Sequence, residues 1–568
     1  MNQHPRRWHT AAGLVAAATL LAAGCGGGSS GDKHSGRAST AGHRGGTLDV
    51  LLQNEPETLD PARVYSAVTM NVERLFTRTL TTYKATSGKA GTDLVPDLAT
   101  DLGQHDDGCR TWTFHLKDGL RYEDGSPVTT QDIKYGVMRS FDDGEVGDGP
   151  QYNRQYLTGV DNYKGPWTTP DGNIDQAVST PDDHTIVFHL KRTVCDFNYT
   201  VAFAAYAAVP RAKDTHLDYG HKVFSDGPYR FGAYAPGKSL ELDRNPYWKK
   251  STDPVRGAYP DKIVFQYGID QNILLQRLIS DQGDDRHAVT IDTPAAAEML
   301  PQIEGKAAVK SRTISGPDGY VWYLGINNHT VPNVAVRKAI TYALSKEEIL
   351  KTCGGVEACG DYATGFTSPT VPSYRKQTVY KVSPQGDPAR AKQILQQAGV
   401  PTPVKLTFAY RQNEDNQKVF EAVQRSLGRD GLFQLTPVPV QKKVYYSSEG
   451  IPSRESDLVW VSWGADWASG STVIPPIFDG RQILPQGNVN FSQLNDPTID
   501  KLMDKAADET DNGKQQQMWG DVETEILKRA ASVPVFYDKG IFVHGSGVRG
   551  TYMHYFYGSY DMVSLSVV

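Results

Sequence analysis

Three tryptophans set around one carboxylate, in the segment Asp457 to Trp467 (DLVWVSWGADW), are the residues whose types and spacing most suggest chemistry. Val459, Val461 and Trp463 alternate as in a half-buried strand, and Gly464 then lets the backbone turn and present Asp466 at the strand's end. Trp460, Trp463 and Trp467 beside that acid suit a ligand with an apolar body and a cationic end. Core tryptophans with Asp466 capping the next turn would give the same pattern, so these residues alone leave both readings open.

A second segment carries a nucleotide-binding pattern that its surroundings refuse. Gly232 to Ser239 (GAYAPGKS) has the phosphate-loop spacing, but Ser239 leads into the alternating strand Leu240, Glu241, Leu242, Asp243, where phosphate binding needs a helix N-terminus. Pro236 also lacks an amide donor, so the segment reads as a hairpin turn. No nucleophile elbow stands between a strand and a helix, and no paired-histidine zinc helix occurs. The sequence therefore offers no catalytic residue, no cofactor and no metal site, and the expectation is a protein that is not an enzyme.

Stepping outward, 568 residues with 39% hydrophobic and 10% aromatic side chains suffice for two or more domains with substantial cores. Arg6 and Arg7 precede an uncharged run from Ala11 to Ala23, long enough for a signal peptide and too short to span a bilayer. It ends in Leu21-Ala22-Ala23-Gly24-Cys25, which resembles the lipobox of bacterial lipoproteins, cut before a cysteine that receives a lipid. Residues 1–24 are thus read as a signal peptide, with either the general or the twin-arginine export route open. Cys25 is the lipidated residue, and 25–46, nearly all small and polar, is a flexible tether spanning roughly 25 Å. Loss of the leader takes the formal net charge from −6 to about −8, which argues against a nucleic-acid partner or a polybasic membrane patch. The expected location is extracytoplasmic, held to the cell membrane through Cys25.

Four further cysteines, Cys109, Cys195, Cys353 and Cys359, fit an oxidising compartment and allow three pairings. Cys109 lies just before the strand Thr111 to Leu116 and Cys195 just after the strand Thr185 to Leu190, so antiparallel pairing would bring them together. Cys353 and Cys359 flank a short glycine-containing loop.

Along the chain, Trp112, Phe114 and Leu116 alternate as a strand, and Thr129 with Asp132 opens a helix buried through Ile133, Val137 and Met138. Asp387-Pro388 and Asp496-Pro497 each start a helix. Arg337 and Lys338 sit on a helix whose buried face is Val336, Ile340 and Leu344, and read as its solvated face. Helices alternating with short strands indicate α/β lobes.

The block from Trp112 to Phe141 resembles the extracytoplasmic solute-binding proteins of ABC importers, in the group that holds oligopeptide- and dipeptide-binding proteins. Further blocks follow in family order: Asp226 to Tyr229, Arg244 to Trp248, Val336 to Leu344, Asp387 to Gly399, Trp463 to Trp467, and Val533 to Val535. The resemblance implies an α/β, two-lobed periplasmic-binding-protein-like fold with a hinge and an accessory subdomain. Lobe I would comprise 47–80, 213–319 and 531–568, the accessory subdomain 81–212, and lobe II 320–530. It also implies a monomer that captures a small peptide and delivers it to importer permease subunits. Trp463, Ala465 and Asp466 match the block whose aspartate pairs with the peptide's α-ammonium in peptide-binding members. Trp467 stands where tyrosine is usual, Trp460 where some members carry an arginine, and Glu55 is placed to reach an extended ligand. An oligosaccharide or a nickel chelate is the alternative solute.

Overall fold

The computed structural model describes residues 42–568 except 147–148, 442–443, 454 and 486; the expected leader, Cys25 and most of the tether lie outside the described residues. In one five-stranded sheet, Thr47–Leu51 runs parallel to both its neighbours, Lys262–Gln266 and Ala288–Val289. The hairpin of Tyr229–Ala235 and Ser239–Arg244 extends that sheet in antiparallel fashion. Its turn is Pro236-Gly237-Lys238, with Gly237 at φ +72°, a conformation glycine adopts without a Cβ penalty. The phosphate-loop lookalike is therefore a β-turn.

A second sheet has the order Phe433–Val440, Val404–Arg411, Leu458–Gly464, Thr313–Ile326, Ser532–Val543. The tryptophan strand lies at its centre, and this corrects the half-buried reading: Leu458 to Val461 are all buried, because both faces are covered. Leu458 and Trp460 join a core with Ile340, Phe408 and Val533. Val459 and Val461 join another with Ile477, Met503 and Trp519.

Thr313–Ile326 and Ser532–Val543 are long, 14 and 12 residues, and reach from one hydrophobic core to another. Val543 packs with Leu51 and Leu274 against the first sheet, whereas Val533 and Val535 belong to the second sheet's core. Their pairing breaks between Pro317 and Val321, where a bulge opens opposite Asp538.

A four-stranded antiparallel sheet orders Gln104–His105, Thr111–His115, Thr185–His189 and Val178–Asp182. Thr111 lies opposite His189, so the residues just beyond those strand ends meet, and Cys109 is bonded to Cys195. Cys353 is bonded to Cys359. The helix Thr130–Arg139 starts with the Thr129–Asp132 capping box, and Asp387 and Asp496 cap their helices with proline at the first turn.

Arg337 departs from its expected place on a solvated face. It is buried, and its guanidinium donates to the carbonyls of Val331, Pro332 and Arg529. No helix among the described residues is long and apolar enough to cross a membrane.

Candidate functional site

A cavity of about 900 Å³ opens between the chain from 52 to 69 and the ends of Val404–Arg411 and Leu458–Gly464. Those two strands are parallel neighbours, and the crevice beyond the carboxyl ends of parallel strands is where α/β sheets bind ligands. Gly464 pairs with Tyr320 of the crossing strand, and a Cβ there would stand 3.1 Å from the Tyr320 ring, so a side chain at this position would crowd that ring.

Two residues further on, the Asp466 carboxylate accepts hydrogen bonds from the Tyr65 hydroxyl at 3.0 Å and from the Tyr152 hydroxyl. Tyr65 comes from the 52–69 segment and Tyr152 opens the helix Tyr152–Tyr156, so three distant parts of the chain converge on one acid. Burial pushes Asp466 up to about 6, against the two phenol hydrogen bonds. Burial and the nearby carboxylate push both phenols upward, so they stay protonated and donate. Among the described residues no Lys, Arg or His pairs with Asp466.

A desolvated carboxylate held by two neutral donors is chemically suited to take up a cation. Binding of a cation at Asp466 is expected to strengthen as pH rises from about 5 to about 7, through the ionisation near 6, and then to level off. The ligand-free fold has the opposite sign. A carboxyl raised by folding contributes stability that is fully present below the ordinary carboxylate value of 3.8 and is lost as pH rises through about 6. Calorimetric titration across that range checks both slopes.

The other expected residues separate. Trp463 is half-buried, lines the cavity, and donates its indole N–H to the Thr472 carbonyl at 2.9 Å. Ala465 borders a smaller chamber beside Asp466. Trp467 is fully buried; it donates to Asp196 at 2.9 Å and stands edge-on to Tyr152 and Phe203, so it holds Tyr152 in place, and it borders the smaller chamber but not the large cavity. Trp460 is a correction: it is 4% exposed, packed beside Trp322 and Phe536 in the core, away from the cavity. Glu55 lines the cavity, but its carboxylate accepts from the Tyr234 hydroxyl at 2.6 Å and the Gly237 amide at 2.8 Å. It thereby fixes the hairpin turn.

Sequence reasoning missed Tyr65, Tyr152, Tyr320, Tyr446 and Arg411. Arg411 ends its parallel strand at the cavity, with its guanidinium 4.5 Å from the Tyr446 ring centre. Its position at the carboxyl end of a strand was the available signal. Tyr65, Tyr320 and Tyr446 are among the exposed large rings of the molecule, and all three line the cavity.

Residues 93–484 match the family described as "Bacterial extracellular solute-binding proteins, family 5 Middle", and the chain belongs to that family. The family is one of solute-binding proteins of transporters and not of enzymes. The chain is 23% identical over 573 residues to the oligopeptide-binding protein OppA of Bacillus subtilis (strain 168), covering 96% of this chain and 97% of that one. It is 24% identical over 509 residues to di/tripeptide-binding protein 1 of Pseudomonas aeruginosa (strain UCBPP-PA14), covering 85% and 87%. Among solved structures, clavulanic acid biosynthesis oligopeptide binding protein 2 superposes with a TM-score of 0.86 at 32% identity, covering 93% of this chain and 96% of that one.

Proposed function

We propose that the chain is the substrate-binding lipoprotein of an ABC importer, capturing oligopeptides between two closing lobes and delivering them to membrane permease subunits. The observation that carries this reading is Asp466, a desolvated carboxylate without a cationic partner among the described residues, in the wall of a cavity sized for a short peptide. A peptide's α-ammonium supplies the missing charge. Because Tyr65 and Tyr152 donate to Asp466, their oxygen lone pairs are left to accept from the ammonium's other N–H groups. Tyr320, Tyr446 and Trp463 give apolar walls for side chains, and relatives named for oligopeptides and di/tripeptides agree with this chemistry.

In this reading lobe I comprises 47–80, 213–319 and the C-terminal end of the chain, lobe II follows from 320, and 81–212 is the accessory subdomain. The hinge sits at the bulge 318–320 and at Asp538. Ser532 to Tyr537 pair with Val321 to Gly325 in the second sheet, so the return crossing belongs at Asp538 in preference to 531. Ligand contacts with both lobes favour the closed state by their differential affinity. The protein acts as a monomer.

Mass spectrometry of small molecules retained by the purified protein tests the peptide reading; recovery only of sugars or metal chelates would refute it. Arg411 is assigned to the peptide carboxylate. Arg411→Ala is expected to cost about 1.5–3 kcal/mol, roughly tenfold to a hundredfold in affinity, with free-acid peptides and little with their C-terminal amides. Equal losses for both would remove Arg411 from that role. Cys25→Ala is expected to move the folded protein from the membrane to the soluble fraction, since a lipid on Cys25 is the proposed anchor. Fractionation and immunoblotting read the outcome.

A further inference from the structure

Behind Asp466 lies a second chamber of about 50 Å³, bounded among others by Phe203, Asp318, Tyr320 and Tyr555. Tyr65, Tyr320, Gly464 and Asp466 line both this chamber and the large cavity, so the two meet at Asp466. Asp318 reaches the chamber because the crossing strand bulges there: the ladder skips from Pro317 to Val321, and Gly319 adopts φ +92°. Its Oδ1 accepts the Tyr320 amide at 2.9 Å, and no hydrogen bond reaches Oδ2 from the described residues.

Asp538 stands opposite the bulge. It accepts from the Trp322 indole at 2.8 Å and from the Lys539 amide at 2.9 Å. The Lys539 ammonium turns elsewhere, to the Glu357 carbonyl. Asp318, Asp466 and Asp538 all act electrostatically on the Tyr320 phenol, and none of the three has a Lys, Arg or His partner among the described residues. Burial and the charge of Asp538 push Asp318 well above the usual carboxylate range, and burial pushes Asp538 up to about 6. Carboxylates desolvated together without a counter-charge are unfavourable until a cation arrives.

We propose that Asp318 is a second cation-binding residue, taking the charged end of the side chain on the ligand's first residue, so that the protein prefers peptides that begin with lysine, arginine or another diamino acid. This rests on the peptide reading above. With the α-ammonium at Asp466, where the two spaces join, the first side chain is the part of a peptide that can enter the chamber while the remainder lies in the large cavity. The chamber's 50 Å³ holds about three to five water-sized groups, enough for an ammonium or guanidinium head and the end of its alkyl stem. The apolar side chains of Met70 and Phe203 suit the stem, and Asp318 the head.

The test is calorimetry with Lys-Ala-Ala, its Nε-acetyl form and norleucine-Ala-Ala. Wild type is expected to bind the free lysine peptide at least tenfold more tightly than the other two. In Asp318→Asn that preference should fall below about threefold, with the norleucine peptide unaffected. Equal wild-type affinities for the three overturn the proposal without recourse to any variant, as does a preference that survives in folded Asp318→Asn. If none of the three binds, the peptide reading falls and this proposal with it; if all bind alike, only this proposal falls.

Discussion

Asp466→Asn is expected to lower peptide affinity by thirtyfold to several thousandfold, the equivalent of about 2–5 kcal/mol. The magnitude follows from where the acid sits. Its carboxylate is desolvated enough to be pushed up to about 6, it is held by two phenols, and no protein cation neutralises it. A peptide ammonium brought against the asparagine amide would lose its own water and gain no counter-charge, and truncating a buried charge pair costs far more than truncating one in water. An exposed acid would cost less than about 1 kcal/mol, so the size of the effect itself separates the two situations. Asparagine keeps the shape and can still accept from Tyr65 and Tyr152, so a collapse of the site is not the expected cause. Acetylating the peptide's α-amine removes the charge from the ligand side. It should weaken wild type strongly and the variant little. Equal losses on acetylation in both proteins would show that Asp466 is not the amine's partner.

How much of this site can be read in the sequence depends on how locally each part is built. Strand, glycine and acid follow one another within Leu458 to Asp466, so the placement of Asp466 at a strand end is a short-range property of the chain. The two phenols on it are 401 and 314 residues away, and no local pattern marks them. Trp460 was misjudged for a related reason. Alternation distinguishes one face of a strand from the other, but it does not say whether a sheet lies in the middle of the molecule with both faces covered. Here Trp460 meets Trp322 and Phe536, both from strands distant in sequence. Arg337 shows the same limit for helices. The apolar stripe through Val336 and Ile340 is correct, yet the adjoining guanidinium is buried on carbonyls supplied by the turn before the helix and by Arg529. Motifs with a compact physical cause, such as the capping box at Thr129 and Asp132 or the turn at Gly237, transfer from sequence to structure because every participant lies within a few residues.

The largest expected effect on the fold comes from Arg139. Arg139→Met should destabilise the protein by about 3–5 kcal/mol, read as a lower denaturant midpoint with the disulfides intact. Arg139 ends the helix Thr130–Arg139, its side chain is fully buried, and it grips Asp60 with two parallel hydrogen bonds of 2.6 and 2.8 Å. Its Nε lies 3.2 Å from Asp214, and its plane sits over the Tyr219 ring at 4.6 Å. Burial alone would raise Asp214, but Arg139 together with the hydrogen bonds from Tyr135, Trp167 and the His216 amide outweighs it, holding that carboxyl below its usual range. A group depressed in this way contributes stability that is present above the ordinary carboxylate value of 3.8 and is lost as pH falls through its folded value. Methionine fills most of the volume but leaves two buried carboxylates without their counter-charge, so wild type and variant should differ most near neutral pH and converge in acid. The pair also matters to the site. Asp60 caps the turn to Ala62 and Arg63 that leads to Tyr65, and Arg139 ties this turn to the end of the helix from which the chain runs on to Tyr152. Releasing it should therefore weaken ligand binding as well as stability. Replacing Asp60 by Leu in the same variant removes one stranded charge, and the double variant is expected to be more stable than Arg139→Met alone. A double variant no more stable than the single one would mean that the loss comes from packing around Tyr219 and Trp167, whose ring centre lies 5.3 Å from the guanidinium, and the electrostatic account of Arg139 would fail.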